Sequence, residues 1–125
     1  MRPSSGLLFC VAIGGMLGVA APAFATCSVN GDLFYMHKND ESQHVIKTDH
    51  NGCDLSFTTA GKIQFDRAEI VDQPKNGELS KIGVLEFRYV PSRRFRGADA
   101  FAVRVCGTTP LGAGCSVLHY TANVR

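Results

Sequence analysis

From Leu85 to Val124 the chain places an apolar side chain at nearly every second position, and this pattern constrains its fold more than any other feature. Leu85, Phe87 and Tyr89 alternate with Glu86 and Arg88. Phe101, Val103 and Val105 alternate with Ala102, Arg104 and Cys106. Leu118, Tyr120, Ala122 and Val124 alternate with Val117, His119, Thr121 and Asn123. Successive side chains of a strand point to opposite faces, so a period of two buries one face and wets the other. A helix needs apolar positions three and four apart, and that spacing is missing. The stretch therefore predicts antiparallel strands with one solvated face.

Upstream, shorter apolar runs at 33–36, 44–47, 53–58, 63–70 and 78–80 read as further strands, with polar loops or Gly- and Asn-bearing turns between them. Residues 37–43 (HKNDESQ) read as a loop. Within 63–70 the phase slips: Ile63 and Phe65 share one face, Ala68 and Ile70 the other. An extra residue near Asp66 and Arg67, a β-bulge, produces such a slip. Roughly eight short strands with turn signals between them predict an all-β domain, an antiparallel β-sandwich of about seven to eight strands.

The first 25 residues stand apart. Arg2 precedes an apolar segment from Leu7 to Ala20, and Ala23-Phe24-Ala25 supplies a small-x-small cleavage pattern. This predicts an export signal over 1–25, with one domain over 26–125 and no transmembrane segment left after cleavage. Cys10 lies inside the apolar segment and is read as a bystander. Thirteen basic residues stand against eleven acidic ones, and Arg2 leaves with the signal. That balance gives no argument for nucleic acid or an anionic membrane surface as partner.

Four cysteines remain: Cys27, Cys53, Cys106 and Cys115. In a short exported chain an even count predicts two disulfides, with three connectivities open. Strand phase selects among them. Cys106 lies opposite Phe101, Val103 and Val105, and Cys115 lies opposite Leu118 and Tyr120, so both fall on the outer face of one hairpin and are expected to pair. Cys27 then pairs with Cys53. No C-x-x-C or paired Cys/His spacing suggests a metal or redox site.

The run Pro74-x-x-Gly77, then Tyr89-x-Pro91, then Phe95-x-Gly97-x-Asp99-x-Phe101 resembles the cadherin-like, immunoglobulin-like repeats of bacterial surface proteins. The chain as a whole is similar to small single-domain exported proteins of Gram-negative bacteria. The resemblance implies an immunoglobulin-like sandwich. It departs from the tandem repeats in holding one copy, and in having Cys106 where a repeat commonly carries a calcium-ligating Asp. Each signature residue also has a physical role of its own. Gly77 and Gly97 suit backbone positions closed to other residues, and Pro91 ends a ladder because it has no N–H to donate. Tyr89 can bury its ring while its hydroxyl reaches a loop. Asp99, just before a strand, is placed to accept loop amides.

Few constellations point to chemistry. His37, His44, His50 and His119 share no metal-ligand spacing and read as exposed loop histidines. No nucleophile elbow frames a serine, and the carboxylates Asp66, Glu69 and Asp72 read as exposed strand residues. No catalytic residue, cofactor or metal is expected. Arg93, Arg94 and Arg96 form the densest charge cluster, with Arg88 and Arg104 on the flanking strands. Such a loop suits an anionic glycan, through the bidentate hydrogen bonds of guanidinium groups. These features predict a non-enzymatic binding or structural module of the periplasm or cell surface, with an anionic glycan or a periplasmic or extracellular protein as partner. The rival expectation is a small inhibitor or accessory protein acting on an enzyme through the 107–114 loop. A periplasmic metal-binding protein is the weakest of the three.

Overall fold

A computed structural model of the chain describes residues 27–125; the predicted export signal and Cys10 lie outside the described residues. Among the described residues eight strands run in chain order: β1 (Cys27–Gly31), β2 (Glu41–Thr48), β3 (Cys53–Ser56), β4 (Gln64–Asp72), β5 (Gly77–Gly83), β6 (Glu86–Pro91), β7 (Gly97–Thr109) and β8 (Gly112–Val124). A 3-10 turn (Met36–Lys38) precedes β2. Five strands form one sheet in the order β1-β2-β8-β7-β4, and three form a second in the order β3-β6-β5.

The alternation read from the sequence is realised in the long hairpin. Phe101, Val103 and Val105 of β7 and Leu118, Tyr120, Ala122 and Val124 of β8 are all buried. They meet Leu55, Leu79, Phe87 and Tyr89 of the smaller sheet in one hydrophobic cluster. Tyr89 stacks on Phe101 (5.3 Å between centroids), and Phe101 stacks on Tyr120 (5.0 Å), so an aromatic column crosses from one sheet to the other. Offset stacking of this kind adds about 0.5–1.5 kcal/mol per pair beyond area burial.

Four expectations are corrected. Residues 33–36 form no strand: they cross the end of the domain, with Met36 buried and Leu33 exposed, and no neighbouring strand offers them a ladder. A strand forms instead at Cys27–Gly31, where every residue is exposed. Its short polar sequence carried no alternation because as an edge strand it buries neither face. Third, β2 begins at Glu41 inside the predicted loop, and its buried face is Ser42, His44, Ile46 and Thr48. Polar residues pointing inward hid the alternation.

Fourth, the sheets are not purely antiparallel. β2 runs parallel to β8, from Glu41 opposite Val117 to Thr48 opposite Val124. The connection before β2 explains this direction. Met36 packs beneath the β7–β8 hairpin, where a Cβ on Gly114 would lie 2.0 Å from the Met36 carbonyl oxygen. The Cys115 N–H donates to Asn39 Oδ1 (3.0 Å), the Ser116 hydroxyl to Asp40 Oδ1 (2.5 Å), and the Val117 N–H to the Asp40 carbonyl (3.0 Å). Fastened at the start of β8, the chain can only set out alongside it.

The two long sides of the domain are closed differently. On one side a disulfide between Cys27 and Cys53 joins β1 to β3. On the other, Lys81 Nζ donates to the Ala68 carbonyl (2.7 Å) and Gln73 Nε2 to the Leu79 carbonyl (3.2 Å), tying β4 and β5. β4 carries register shifts between Phe65 and Arg67, where the bulge was expected, and between Ile70 and Asp72. Bulges and a lysine at an edge discourage unwanted strand pairing. The second disulfide joins Cys106 to Cys115, which sit opposite one another across the hairpin. Two disulfides fit an oxidising compartment. Among the described residues no helix is long and apolar enough to cross a membrane.

Candidate functional site

The two ends of the domain carry different groups. At one end the β7–β8 hairpin turns through Pro110 and Leu111, and two other segments reach the same level: residues 32–37 and the turn before β4. Between them lies a cleft of about 560 Å³. Its walls are Leu33, Phe34, Tyr35, Ile63, Phe65 and Leu111, with Met36 below. Leu33 is 79% and Leu111 78% exposed, and Tyr35 (44%) and Ile63 (40%) stand well out of the core. Single exposed apolar residues are ordinary, but a contiguous group around a hollow marks an interaction site.

The cleft's framework is rigid for identifiable reasons. The Cys106–Cys115 bridge braces the hairpin. Thr109 Oγ1 lies 3.3 Å from His37 Nδ1 and accepts the Leu111 N–H at 3.1 Å, so the polar groups at the tip are partnered within the fold. Phe34 is pinned between Phe65 (6.3 Å) and the edge of His44 (6.1 Å). His44 is buried, not the exposed loop residue expected. Its Nε2 lies 2.7 Å from Ser42 Oγ, and its ring stacks on Tyr120 at 5.1 Å. Burial pushes its pKa below the ordinary value, with the nearby Asp32 carboxylate pulling the other way. Gly31, opposite His44 in register, leaves room for the ring: a Cβ there would lie 1.8 Å from Nδ1. Ser42 and His44 pair a hydroxyl with an imidazole, but both are buried on the inner face of β2 and neither lines the cleft.

At the opposite end, Arg93, Arg94 and Arg96 are exposed in the turn between β6 and β7, and none joins a salt bridge among the described residues. Arg88 and Arg104 do not extend the cluster. Arg88 binds Asp54 through two hydrogen bonds (2.8 and 3.1 Å), and Arg104 binds Glu69 (3.2 Å). Phe95, between Arg94 and Arg96, is half-buried, and its carbonyl lies 2.9 Å from His50 Nε2.

Beneath the arginine turn, the signature residues gather around Asp99, which is 4% exposed. Its carboxylate accepts the Tyr89 hydroxyl (2.8 Å) and the N–H groups of Lys75 (3.1 Å), Asn76 (3.2 Å) and Ala100 (3.0 Å). Burial, then the hydrogen bond to Asp99, drives the Tyr89 pKa upward, so the phenol stays a donor. Pro74 and Pro91 are buried and Phe101 stacks on Tyr89. Gly97 adopts φ 129°, closed to other residues, and a Cβ on Gly77 would lie 2.7 Å from the Val90 carbonyl oxygen. Asp99 is therefore spoken for by its own neighbours and balances none of the arginines.

The histidines are dispersed: His37 at the hairpin tip, His44 inside, His50 by the arginine turn, and His119 on the outer face, 2.6 Å from Glu41. Among the described residues no group of three or more His, Cys, Asp or Glu could hold a metal ion. The cleft itself was missed in the sequence. Leu33 and Leu111 are 78 residues apart in sequence, and only the exposed Pro110-Leu111 of an otherwise small, polar turn hinted at it.

No protein-family model matches the chain, and no curated protein does. Among solved structures it is similar to a 2,6-sialyltransferase of Photobacterium sp., at 16% identity and a TM-score of 0.37, over 68% of this chain and 17% of that one. A likeness that low carries no argument about fold or activity.

Proposed function

We propose that the protein is an exported, non-enzymatic immunoglobulin-like module that binds a partner through its hairpin end. The apolar cleft between Leu33 and Leu111 carries this reading, because it leaves uncovered the kind of surface that association normally covers. The order of the strands supports the immunoglobulin-like part. Taking β2 to β8 as seven successive strands, the second, fourth and fifth share one sheet, and the third, sixth and seventh share the other with the first. That division matches the B, E, D and C, F, G groups of immunoglobulin domains. The two disulfides support export, and loops on a rigid β scaffold are where such domains carry binding.

The rival reading, an inhibitor that enters an enzyme through the 107–114 loop, draws on the projection of Leu111 at the tip. It differs in needing the hairpin alone, whereas a cleft needs Leu33 as well. A photo-crosslinking residue placed at position 111, and separately at position 94, in the exporting cell separates these cases. Adducts from 111 that Leu33→Asp abolishes support the cleft, and adducts that survive Leu33→Asp support the inhibitor. Adducts from 94 alone, or none, overturn both.

A further inference from the structure

We propose that the cleft is filled by a second copy of this chain, in a two-fold dimer in which each Leu111 enters the other's hollow. The inference rests on the hairpin end being the binding end, and it adds the partner. Three observations carry it.

The first is shape. The hollow and the knobs belong to one patch. Phe34, Phe65 and the buried Met36 lie in the depression, while Leu33 and Leu111, each nearly four-fifths exposed, stand at its rim. A two-fold interface uses the same patch on both partners, so it requires a surface that carries both a projection and its receptacle. A foreign partner needs only one of the two, and a bilayer offers no projection to fill a hollow.

The second is polarity. The polar groups at the tip are already engaged. Thr109 Oγ1 is held by His37 and by the Leu111 N–H, and the Asp32 N–H donates to the Gln43 carbonyl at 3.0 Å. The floor offers a partner apolar contact and little hydrogen bonding. The matching chemistry is another apolar side chain, which a second Leu111 supplies.

The third is charge. Asp32 directly follows β1 and Lys62 precedes β4, and these are the two edge strands of the five-stranded sheet. Gln64 pairs with Thr108, which sets Lys62 beside the tip, and Asp32 lines the cleft itself from the opposite edge of the sheet; both are exposed. A two-fold axis through the tip carries the Asp32 side of one copy onto the Lys62 side of the other, twice. Opposite charges then face each other around an apolar centre, the arrangement of polar rim and apolar middle that protein interfaces use.

Sedimentation velocity over a concentration series of the protein, processed from its full-length precursor, tests this. A species of twice the monomer mass is expected. Leu111→Asp and Leu33→Asp should each weaken it by at least about ten-fold, as loss of a central apolar anchor does. Val84→Asp, at an exposed position in the β5–β6 turn, should leave it unchanged. Asp32→Lys should weaken it by about three-fold, the scale of an exposed ion pair, and Lys62→Asp on top should restore it. Equal melting temperatures across the set exclude misfolding. A dimer insensitive to Leu111→Asp, or a charge exchange that does not restore association, overturns the proposal. A monomer at every concentration also overturns it, whether the monomer floats with phosphatidylglycerol vesicles or its position-111 crosslink captures a different protein. That last result leaves the hairpin end as the binding end; a monomer with no adduct at all removes both readings.

Discussion

The two ends of this domain are finished in opposite ways. At the arginine end the buried polar groups are satisfied from within: one carboxylate, Asp99, gathers a phenol and three backbone amides, and the strands stop there. At the hairpin end the polar groups are satisfied too, but the apolar ones are not covered, and two leucines stand almost free in water. The first end completes the fold. The second leaves a surface the fold does not need, and a feature unnecessary for folding is the better candidate for function. It follows that substitutions at the Asp99 end should act on stability, and substitutions at the cleft on association.

The largest effect is expected at Asp99. Asp99→Ala leaves the fully buried Tyr89 hydroxyl and two loop amides without an acceptor, and should lower the unfolding free energy by about 3–5 kcal/mol in urea titration. Tyr89→Phe, which removes one donor, should cost about 1.5–2 kcal/mol. A loss below about 1 kcal/mol for Asp99→Ala would mean that this end is not held by the carboxylate, and the contrast between the ends would fail.

Next come the bridges. With partners 26 and 9 residues apart in sequence, replacing Cys27 and Cys53 by Ser should cost about 3.5 kcal/mol, and replacing Cys106 and Cys115 about 2.7 kcal/mol, from loop-closure entropy. The second pair also braces the cleft, so its removal should weaken association more than the first does, despite the smaller loss of stability.

These disulfides were legible in the sequence because strand phase fixes which side chains share a face, and Cys106 and Cys115 share one. The Asp99 site was legible for a similar reason: a short acidic side chain before a strand, near Pro- and Gly-bearing turns, has few uses but to accept their amides. What was not legible had no periodic signal. β1 buries nothing, so its composition is that of a loop. β2 turns Ser42, His44 and Thr48 inward, where alternation alone would place apolar residues. The parallel pairing of β2 with β8 arises from Asn39 and Asp40 grasping the start of β8, contacts between residues 76 apart. The cleft draws on three segments that no local pattern joins.

A smaller effect is expected from pH. Burial holds the pKa of His44 below its ordinary 6.5, so as pH falls the unfolded chain takes up the proton first. The stability contributed by neutral His44 is intact above about pH 6.5 and is lost as pH falls through and below that value. His44 supports Phe34 at the cleft wall, so melting temperature should decline as pH falls below about 6.5, and association should follow once the folded His44 itself takes up the proton. His44→Gln should flatten both slopes. A pH profile identical in the two proteins would separate His44 from the cleft.

The smallest effect on stability belongs to the exposed arginines. Replacing Arg93, Arg94 and Arg96 together by Ala should change the unfolding free energy by no more than about 0.5 kcal/mol. Salt-sensitive retention on an anionic glycan column should drop if that turn contacts anions, while association through the cleft stays the same.

The contrast between the ends is tested most directly by amide chemical shifts of the whole domain, recorded from dilute to concentrated protein. Concentration-dependent shifts should gather at Leu33, Phe34, Tyr35, Ile63 and Leu111, and leave Arg93, Arg94, Arg96 and Asp99 still. Shifts centred on the arginine turn, or none at either end, would contradict the account.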